Sequence, residues 1–127
     1  PAAPEARPPH RAGDPWRIGI VNPLDPAHSR AIVEVADGSV VTSGLHERRF
    51  TRGGVTYHHI LDPKTGFPVE TDAAGATVVA RRSIDAEGYS TTLLALGIER
   101  GLAFARERDA ILGAYFVDRD GKVAGIA

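Results

Sequence analysis

The sequence contains no cysteine and no methionine, and its charges nearly balance. The absence of cysteine excludes disulfide frameworks, thiolate zinc sites and cysteine nucleophiles. A formal net charge of −1 offers no bulk attraction to nucleic acid or to anionic lipid, so no nucleic-acid partner is expected. No apolar run approaches the roughly 20 residues that a membrane-spanning helix needs. The 127 residues therefore suit one globular domain with a modest core.

Large side chains are also scarce, with one Trp, three Tyr and four Phe in the whole chain. Because so few bulky residues are present, we expect the sheet to need a cover that this chain does not supply. Proline is instead concentrated in residues 1–15, a segment that has little to bury. We expect this segment to be a disordered lead-in, followed by a single domain over residues 16–127.

Short apolar runs separated by turn residues predict a mainly antiparallel sheet built of hairpins. Two-residue turn signals occur at Asp37-Gly38, Gly53-Gly54 and Asp120-Gly121, each between two such runs. Further strands are predicted in "WRIGIVNP" near the start and in "GATVVARRS" before the helical region.

The hydrophobic period changes after Ser83, where the spacing becomes helical. The apolar positions that carry this change are Ile84, Tyr89, Leu93, Leu94 and Leu96. Ser83 is a suitable N-cap, and Gly97 is expected to end the helix. Two consecutive helices are predicted, at about 83–96 and 99–108, before a final hairpin. Several strands, then two helices, then two strands indicate an α+β fold.

Two adjacent histidines end the strand in "YHHILDPKTGFPVE". Alternation along a strand predicts that His58 and His59 point to opposite faces, so they are not expected to bind a metal together. An imidazole titrates near neutral pH and can accept a proton from an attacking hydroxyl. His59, which leads directly into the turn, is therefore the candidate base.

The turn after His59 carries a carboxylate, a cation and a hydroxyl at Asp62, Lys64 and Thr65. Pro63 fixes its own φ and Gly66 permits a positive φ, so the loop is expected to hold one shape. A rigid loop with these groups suits phosphoryl chemistry, in which positioning and charge neutralisation dominate. The competing interpretation is a polar hairpin loop with incidental histidines.

Two further segments could bind a metal ion or an anion. Glu87 and Thr91 are four residues apart and share one helix face, which suits Mg²⁺. Alternatively, Glu87 complements the helix dipole and Thr91 bonds back to its own helix. Thr42, Ser43 and Gly44 close a strand and could present backbone amides to an anion, although an ordinary turn is the favoured interpretation.

Together these segments resemble the ApbE-type flavin transferases, the FAD:protein FMN transferases. The resemblance is carried by "PWRIGIVNP", "VVTSGLHERRF", "HHILDPKTGFPV" and "DAEGYSTTLLALG", in that order. It runs from about Pro15 to Ala127 and covers only the C-terminal portion of the family. Since the family's N-terminal region supplies much of its flavin pocket, we expect this chain alone to bind FAD weakly or not at all.

The resemblance implies Mg²⁺-dependent cleavage of FAD and transfer of FMN to a threonine or serine hydroxyl of a partner flavoprotein, with release of AMP. It implies catalytic roles for His59 and Asp62, with His59 as general base. It implies metal ligands at Glu87 and Thr91. The cofactor-binding residues that it implies are Thr42, Ser43, Gly44, Lys64, Thr65 and Gly66. Members of the family are often exported and anchored to the outer side of the cytoplasmic membrane.

Two departures from the family pattern leave alternatives open. The family usually has Asp where this chain has Glu87, and it often has Asp where this chain has Leu45. These departures favour, together with the missing N-terminal portion, a truncated or degenerate member that acts as a flavin-binding module. A further alternative is an FAD pyrophosphatase that yields FMN and AMP, because some relatives hydrolyse FAD and the sequence does not separate the two reactions. A plain structural α+β domain is the remaining reading. The acceptor protein and the oligomeric state are not specified by the sequence.

Overall fold

A computed structural model describes residues 13–22, 25–45 and 49–126 of the chain. These ranges contain eight strands and two helices, which confirms the α+β class. In chain order they are β1 (Trp16–Asn22), β2 (Asp25–Val35), β3 (Ser39–Gly44), β4 (Arg49–Arg52), β5 (Val55–His58), β6 (Ala73–Ala80), α1 (Ser83–Leu96), α2 (Ile98–Arg106), β7 (Ile111–Asp118) and β8 (Val123–Ile126). Most of the lead-in predicted over residues 1–15 lies outside the described residues.

The main sheet has four antiparallel strands in the order β3-β6-β7-β8. The β3–β6 ladder begins with Ser39 opposite Ala80 and ends with Gly44 opposite Gly75. Every residue of β6 is buried, because this strand is covered on both faces. Its sequence is accordingly a continuous run of small and β-branched residues rather than an alternation.

One face of the sheet is covered by α1 and α2. The buried stripe of α1 consists of Ala86, Ser90, Leu93 and Leu94, at the i, i+4, i+7 spacing of a helix that packs on one side. The predicted end is confirmed: Gly97 has φ 85° and its amide donates to the Leu93 carbonyl at 3.1 Å. The second helix begins one residue earlier and ends two residues earlier than predicted.

The start of α1 differs from the prediction. Arg82 occupies the N-cap position, and no side chain caps the helix there. The Ala86 amide reaches the Arg82 carbonyl at 3.1 Å, which makes Ser83 the first helical residue rather than the cap. Ile84, one of the apolar positions that indicate the helical spacing, has 66% of its surface exposed. Ala86 and Ser90 take the buried positions instead.

The opposite face of the sheet is covered by the two-stranded ribbon β1–β2. Ile20, Val33 and Val35 of the ribbon form one buried cluster with Val79 and Val117 of the sheet. The expectation of a missing cover was therefore wrong for these strands. On the helical face, several small side chains let the elements approach closely, so the core closes without many large residues.

The predicted hairpin at Asp37-Gly38 was also wrong. β2 pairs with β1 and β3 pairs with β6, so this turn carries the chain from the ribbon into the main sheet. Gly38 has φ 137°, and a Cβ there would lie 2.9 Å from the Ala80 carbonyl oxygen, so the close crossing requires glycine.

The other two hairpins are as predicted. Gly53 and Gly54, with φ of 59° and 78°, join β4 to β5, and the turn at Asp120-Gly121 joins β7 to β8. No helix in the described part of the chain is long and apolar enough to cross a membrane.

Candidate active site

The segment from His59 to Val69 forms a closed loop between β5 and β6. Its stem is held by a bridge between Leu61 and Pro68 and by the Val69 amide, which donates to the Ile60 carbonyl at 2.9 Å. Ile60 is 7% exposed and belongs to the main core cluster, against which Val69 also packs. The loop is therefore anchored at its base in the same core that holds α1.

Asp62 organises the interior of this loop. Its carboxylate Oδ1 accepts the Lys64 amide at 2.8 Å, and its carbonyl accepts the amides of Thr65 at 3.3 Å and Gly66 at 2.8 Å. Thr65 Oγ1 in turn accepts the Phe67 amide at 3.2 Å. Gly66 has φ 72°, the positive value that we expected to need glycine. Asp62 and Thr65 thus shape the loop, whereas the Lys64 residue itself is exposed.

His59 lies directly after the end of β5 and is exposed, while the next residue, Ile60, is buried. An exposed imidazole at the base of a fixed loop is accessible to a substrate hydroxyl. The prediction that His58 points away from His59 concerns a side chain outside those that the structure describes. His59 stays the candidate base.

The end of β3 meets the middle of α1 through side-chain hydroxyls. Ser43 Oγ lies 2.7 Å from Ser90 Oγ and 3.1 Å from Thr91 Oγ1, across 47 and 48 residues of sequence. Glu87 is exposed one helical turn before Thr91, on the same face. The structure therefore joins two segments that the sequence analysis had singled out separately. This group, Ser43, Glu87, Ser90 and Thr91, is called the hydroxyl cluster below.

Thr42 does not belong to this cluster. Its Oγ1 lies 2.8 Å from Thr77 Oγ1, on the adjacent strand β6. Alternation explains the separation: Val41 packs with the helical face of the sheet and Val40 with the ribbon face, so Ser43 follows the former and Thr42 the latter. A role for Thr42 at a bound phosphate stays a prediction. Thr42 would have to act from the face of β3 that is opposite to the hydroxyl cluster.

Gly44 ends β3, and the chain leaves the sheet with Leu45. The Leu45 amide donates to the Ala74 carbonyl at 3.2 Å, and the side chain is 9% exposed within the core. At the position where the family often has an acid, this chain thus has a core residue. Leu45, Ile60 and Leu94 share one cluster, which links β3, the loop and α1.

Ser90 is the residue that sequence reasoning missed. It is fully buried, and its hydroxyl contacts both Ser43 and the Glu87 carbonyl. A signal was present: Ser90 occupies the position between Ala86 and Leu94 at four-residue spacing, where an inward face predicts an apolar residue. A polar residue at a core position requires a partner.

Chemically, the described residues offer an exposed imidazole on a rigid loop and a carboxylate beside two hydroxyls on the sheet–helix junction. Both groups are attached to one core cluster. Such a combination suits a class of proteins that move phosphoryl groups, since it supplies a base and hard oxygen ligands.

Comparison with known proteins identifies the family. The sequence profile of the ApbE family matches residues 6–116 of this chain. Since this match spans most of the chain, the protein belongs to the ApbE family.

Two kinds of similar protein are known: sequence relatives named FAD:protein FMN transferase, and solved structures of ApbE proteins. The chain is 43% identical over 113 residues to an FAD:protein FMN transferase of Treponema pallidum, a match that covers 88% of this chain and 31% of that protein. It also resembles the crystal structure of the ApbE protein from Thermotoga maritima, with a TM-score of 0.76, 30% identity, and coverage of 87% of this chain and 36% of that one.

A third likeness is to the flavinyl transferase ApbE of Pseudomonas stutzeri in its apo form. The TM-score is 0.65 at 42% identity, with 88% of this chain and 34% of that chain covered. This chain therefore spans about a third of the length of the relatives that it matches.

Proposed function

We propose that this chain supplies the base-bearing and metal-binding side of an FAD:protein FMN transferase. The observation that carries the proposal is the 3.1 Å contact between Ser43 and Thr91, which assembles two separately recognised segments beside Glu87. The similarity to proteins named FAD:protein FMN transferase supports the choice of substrate. The proposal extends to location: export and anchoring at the outer side of the cytoplasmic membrane, as the family resemblance implies.

In the proposed reaction, the hydroxyl oxygen of a threonine or serine on the acceptor flavoprotein attacks the FMN phosphorus of FAD. A new phosphoester bond forms, the bond from that phosphorus to the AMP oxygen breaks, and AMP leaves. His59 takes the proton of the attacking hydroxyl. His59 directly precedes the loop that Asp62 and Thr65 shape, and we infer that this fixed loop positions the imidazole and so contributes to the rate.

The proposed metal is Mg²⁺, and the donor set of the hydroxyl cluster fits it. No group of three or more His, Cys, Asp or Glu side chains suited to a metal occurs among the described residues. Mg²⁺ commonly uses one or two carboxylates and completes its shell with water and phosphate, so Glu87 and Thr91 would hold it. When bound, Mg²⁺ neutralises charge on the pyrophosphate. Glu87 is a methylene longer than Asp, so its carboxylate would reach further from the helix to hold the ion.

The test is direct incubation of the 127-residue protein with FAD, Mg²⁺ and a threonine-containing acceptor peptide. Chromatography and mass spectrometry would look for AMP and for the flavin-labelled peptide. We expect both products, at FAD concentrations high enough to offset the weak binding expected of this chain alone. AMP without labelled peptide would replace the transferase with an FAD pyrophosphatase. Neither product would indicate an inactive fragment or a flavin-binding module, and it would overturn the proposal that this chain is enzymatic by itself.

A further inference from the structure

The hydroxyls at the junction of β3 and α1 form a chain whose direction can be worked out from their protons. Each hydroxyl has one proton to donate and lone pairs that can accept. Ser90 Oγ lies 3.1 Å from the Glu87 carbonyl oxygen, which can only accept. Ser90 therefore gives its proton to this carbonyl and must accept in its 2.7 Å contact with Ser43.

The remaining two bonds then follow. Because Ser43 gives its proton to Ser90, it accepts in its 3.1 Å contact with Thr91. Three protons then make three hydrogen bonds in the order Thr91 to Ser43 to Ser90 to the Glu87 carbonyl. The opposite order would leave the contact between Ser90 and that carbonyl without a proton. Since Ser90 is 0% exposed, water cannot replace the bond there.

This order determines what Thr91 presents to its surroundings. Its only proton points inward to Ser43, so the exposed side of Oγ1 carries lone pairs alone. Such an oxygen is a ligand for a cation and a poor partner for a phosphate oxygen, which needs a donor.

We propose that Ser90 is a positioning residue, which acts through Ser43 to turn the Thr91 lone pairs toward Mg²⁺. This inference rests on the metal site of the proposed function. It assigns a role to a buried serine that would not itself touch metal or substrate. Partners of this kind orient metal ligands in other sites, and their loss typically lowers metal affinity about 10- to 100-fold.

The first measurement is the affinity of the complete 127-residue chain for Mn²⁺, which accepts the same hard oxygen ligands and is detected by electron paramagnetic resonance. We expect Ser90→Ala to weaken binding by about 10-fold or more. The matched control is Thr92→Ala, since the Thr92 hydroxyl bonds to the Gly88 carbonyl at 3.0 Å, outside the chain of hydroxyls. This control should bind Mn²⁺ as the unaltered protein does.

A double-mutant cycle separates positioning from a merely structural role. If Ser90 acts through Thr91, Ser90→Ala should have almost no further effect on Mn²⁺ affinity in a Thr91→Val background. An equal loss in both backgrounds would overturn the inference. Should Ser90→Ala fail to fold by circular dichroism, Ser90→Cys retains a hydrogen-bonding group that donates more weakly than a hydroxyl, and it carries the same expectation.

Nuclear magnetic resonance tests the chain of hydroxyls without any metal. In equal parts of H₂O and D₂O, a slowly exchanging hydroxyl splits the ¹³Cβ signal of its residue. We expect splitting at Ser43 in the unaltered protein and its loss in Ser90→Ala. No splitting at Ser43 would overturn the inference while leaving the proposed function intact.

The outcomes distinguish the inference from the function on which it rests. If the unaltered chain binds Mn²⁺ and Ser90→Ala binds it equally well, only the role of Ser90 is refuted and the proposed metal site stands. No Mn²⁺ binding by the unaltered chain refutes the proposed metal site, and the inference with it. Loss of affinity in Ser90→Ala, but not in Thr92→Ala, supports both.

Discussion

Two glycines in the helices are expected to respond in opposite directions to the same substitution. Gly101 is buried in α2, and a Cβ there would overlap the Cζ atom of Phe116 and lie 3.2 Å from the Leu93 carbonyl oxygen. Phe116 is fully buried, so its ring has no free space to enter. Gly88 lies in α1 with nothing within 4 Å of the corresponding position.

The size of each effect follows from two terms. Replacing a helical glycine by alanine gains about 1 kcal/mol of helix propensity. At Gly101 this gain opposes the cost of overpacking, which is about 3 kcal/mol for an overlap with a confined ring. Gly101→Ala should therefore lower the free energy of unfolding by about 2 kcal/mol. Gly88→Ala has no opposing term and should raise it by about 1 kcal/mol.

Thermal unfolding followed by circular dichroism measures the change in stability of both variants. For a chain of this length, about 1 kcal/mol corresponds to a Tm change of about 4 °C. Gly101→Ala should thus melt about 8 °C lower and Gly88→Ala about 4 °C higher. Combining Gly101→Ala with Phe116→Leu should recover part of the loss, because the smaller side chain removes the overlap. A Tm for Gly101→Ala at or above that of the unaltered protein would refute this account of the packing.

The remaining predictions concern the loop and the helix start. His59→Ala should reduce AMP release by about 10²-fold or more while His58→Ala has a mild effect, and the reverse result would mean that the base was wrongly chosen. Asp62→Asn keeps an oxygen that accepts the Lys64 amide and should retain most activity, whereas Asp62→Ala removes that oxygen and should lose activity. Equal losses in the two variants would show that the charge of the carboxylate matters and that the hydrogen bond does not. Asp72→Ala should lower stability by about 1 kcal/mol in urea unfolding, because Oδ1 accepts the first amide of α2 at 2.9 Å; an unchanged midpoint would contradict this.

Local rules predicted those elements whose residues determine their own geometry. The paired glycines at Gly53-Gly54 define a tight hairpin turn, and Gly97 defines a helix end, so both were correct from sequence. Asp37-Gly38 has the same local signal, but here the glycine is needed because the backbone passes close to the Ala80 carbonyl as the chain moves from the ribbon to the main sheet. Turn chemistry specifies that a chain bends there, not which strand it pairs with next.

The candidate site was predictable in part for a similar reason. Spacing along one helix placed Glu87 beside Thr91, and the loop residues were adjacent in sequence. The contact between Ser43 and Thr91 spans 48 residues and depends on the packing of α1 against β3, which no local pattern encodes. The same packing makes Ser90 a buried polar partner. The separation of Thr42 from Ser43, in contrast, was predictable, because alternation along a strand places neighbouring side chains on opposite faces.

The ladder between β3 and β6 encloses everything from residue 45 to residue 72, including the β4–β5 hairpin and the loop after His59. Gly44 pairs with Gly75, so this excursion leaves and re-enters the sheet at adjacent points. The entropy of closing such a loop rises only with the logarithm of its length, by about 0.6 kcal/mol for each doubling. The segment that carries His59 can therefore change in length at the Gly53-Gly54 turn with little loss of sheet stability, so this part of the fold can vary while the sheet stays intact.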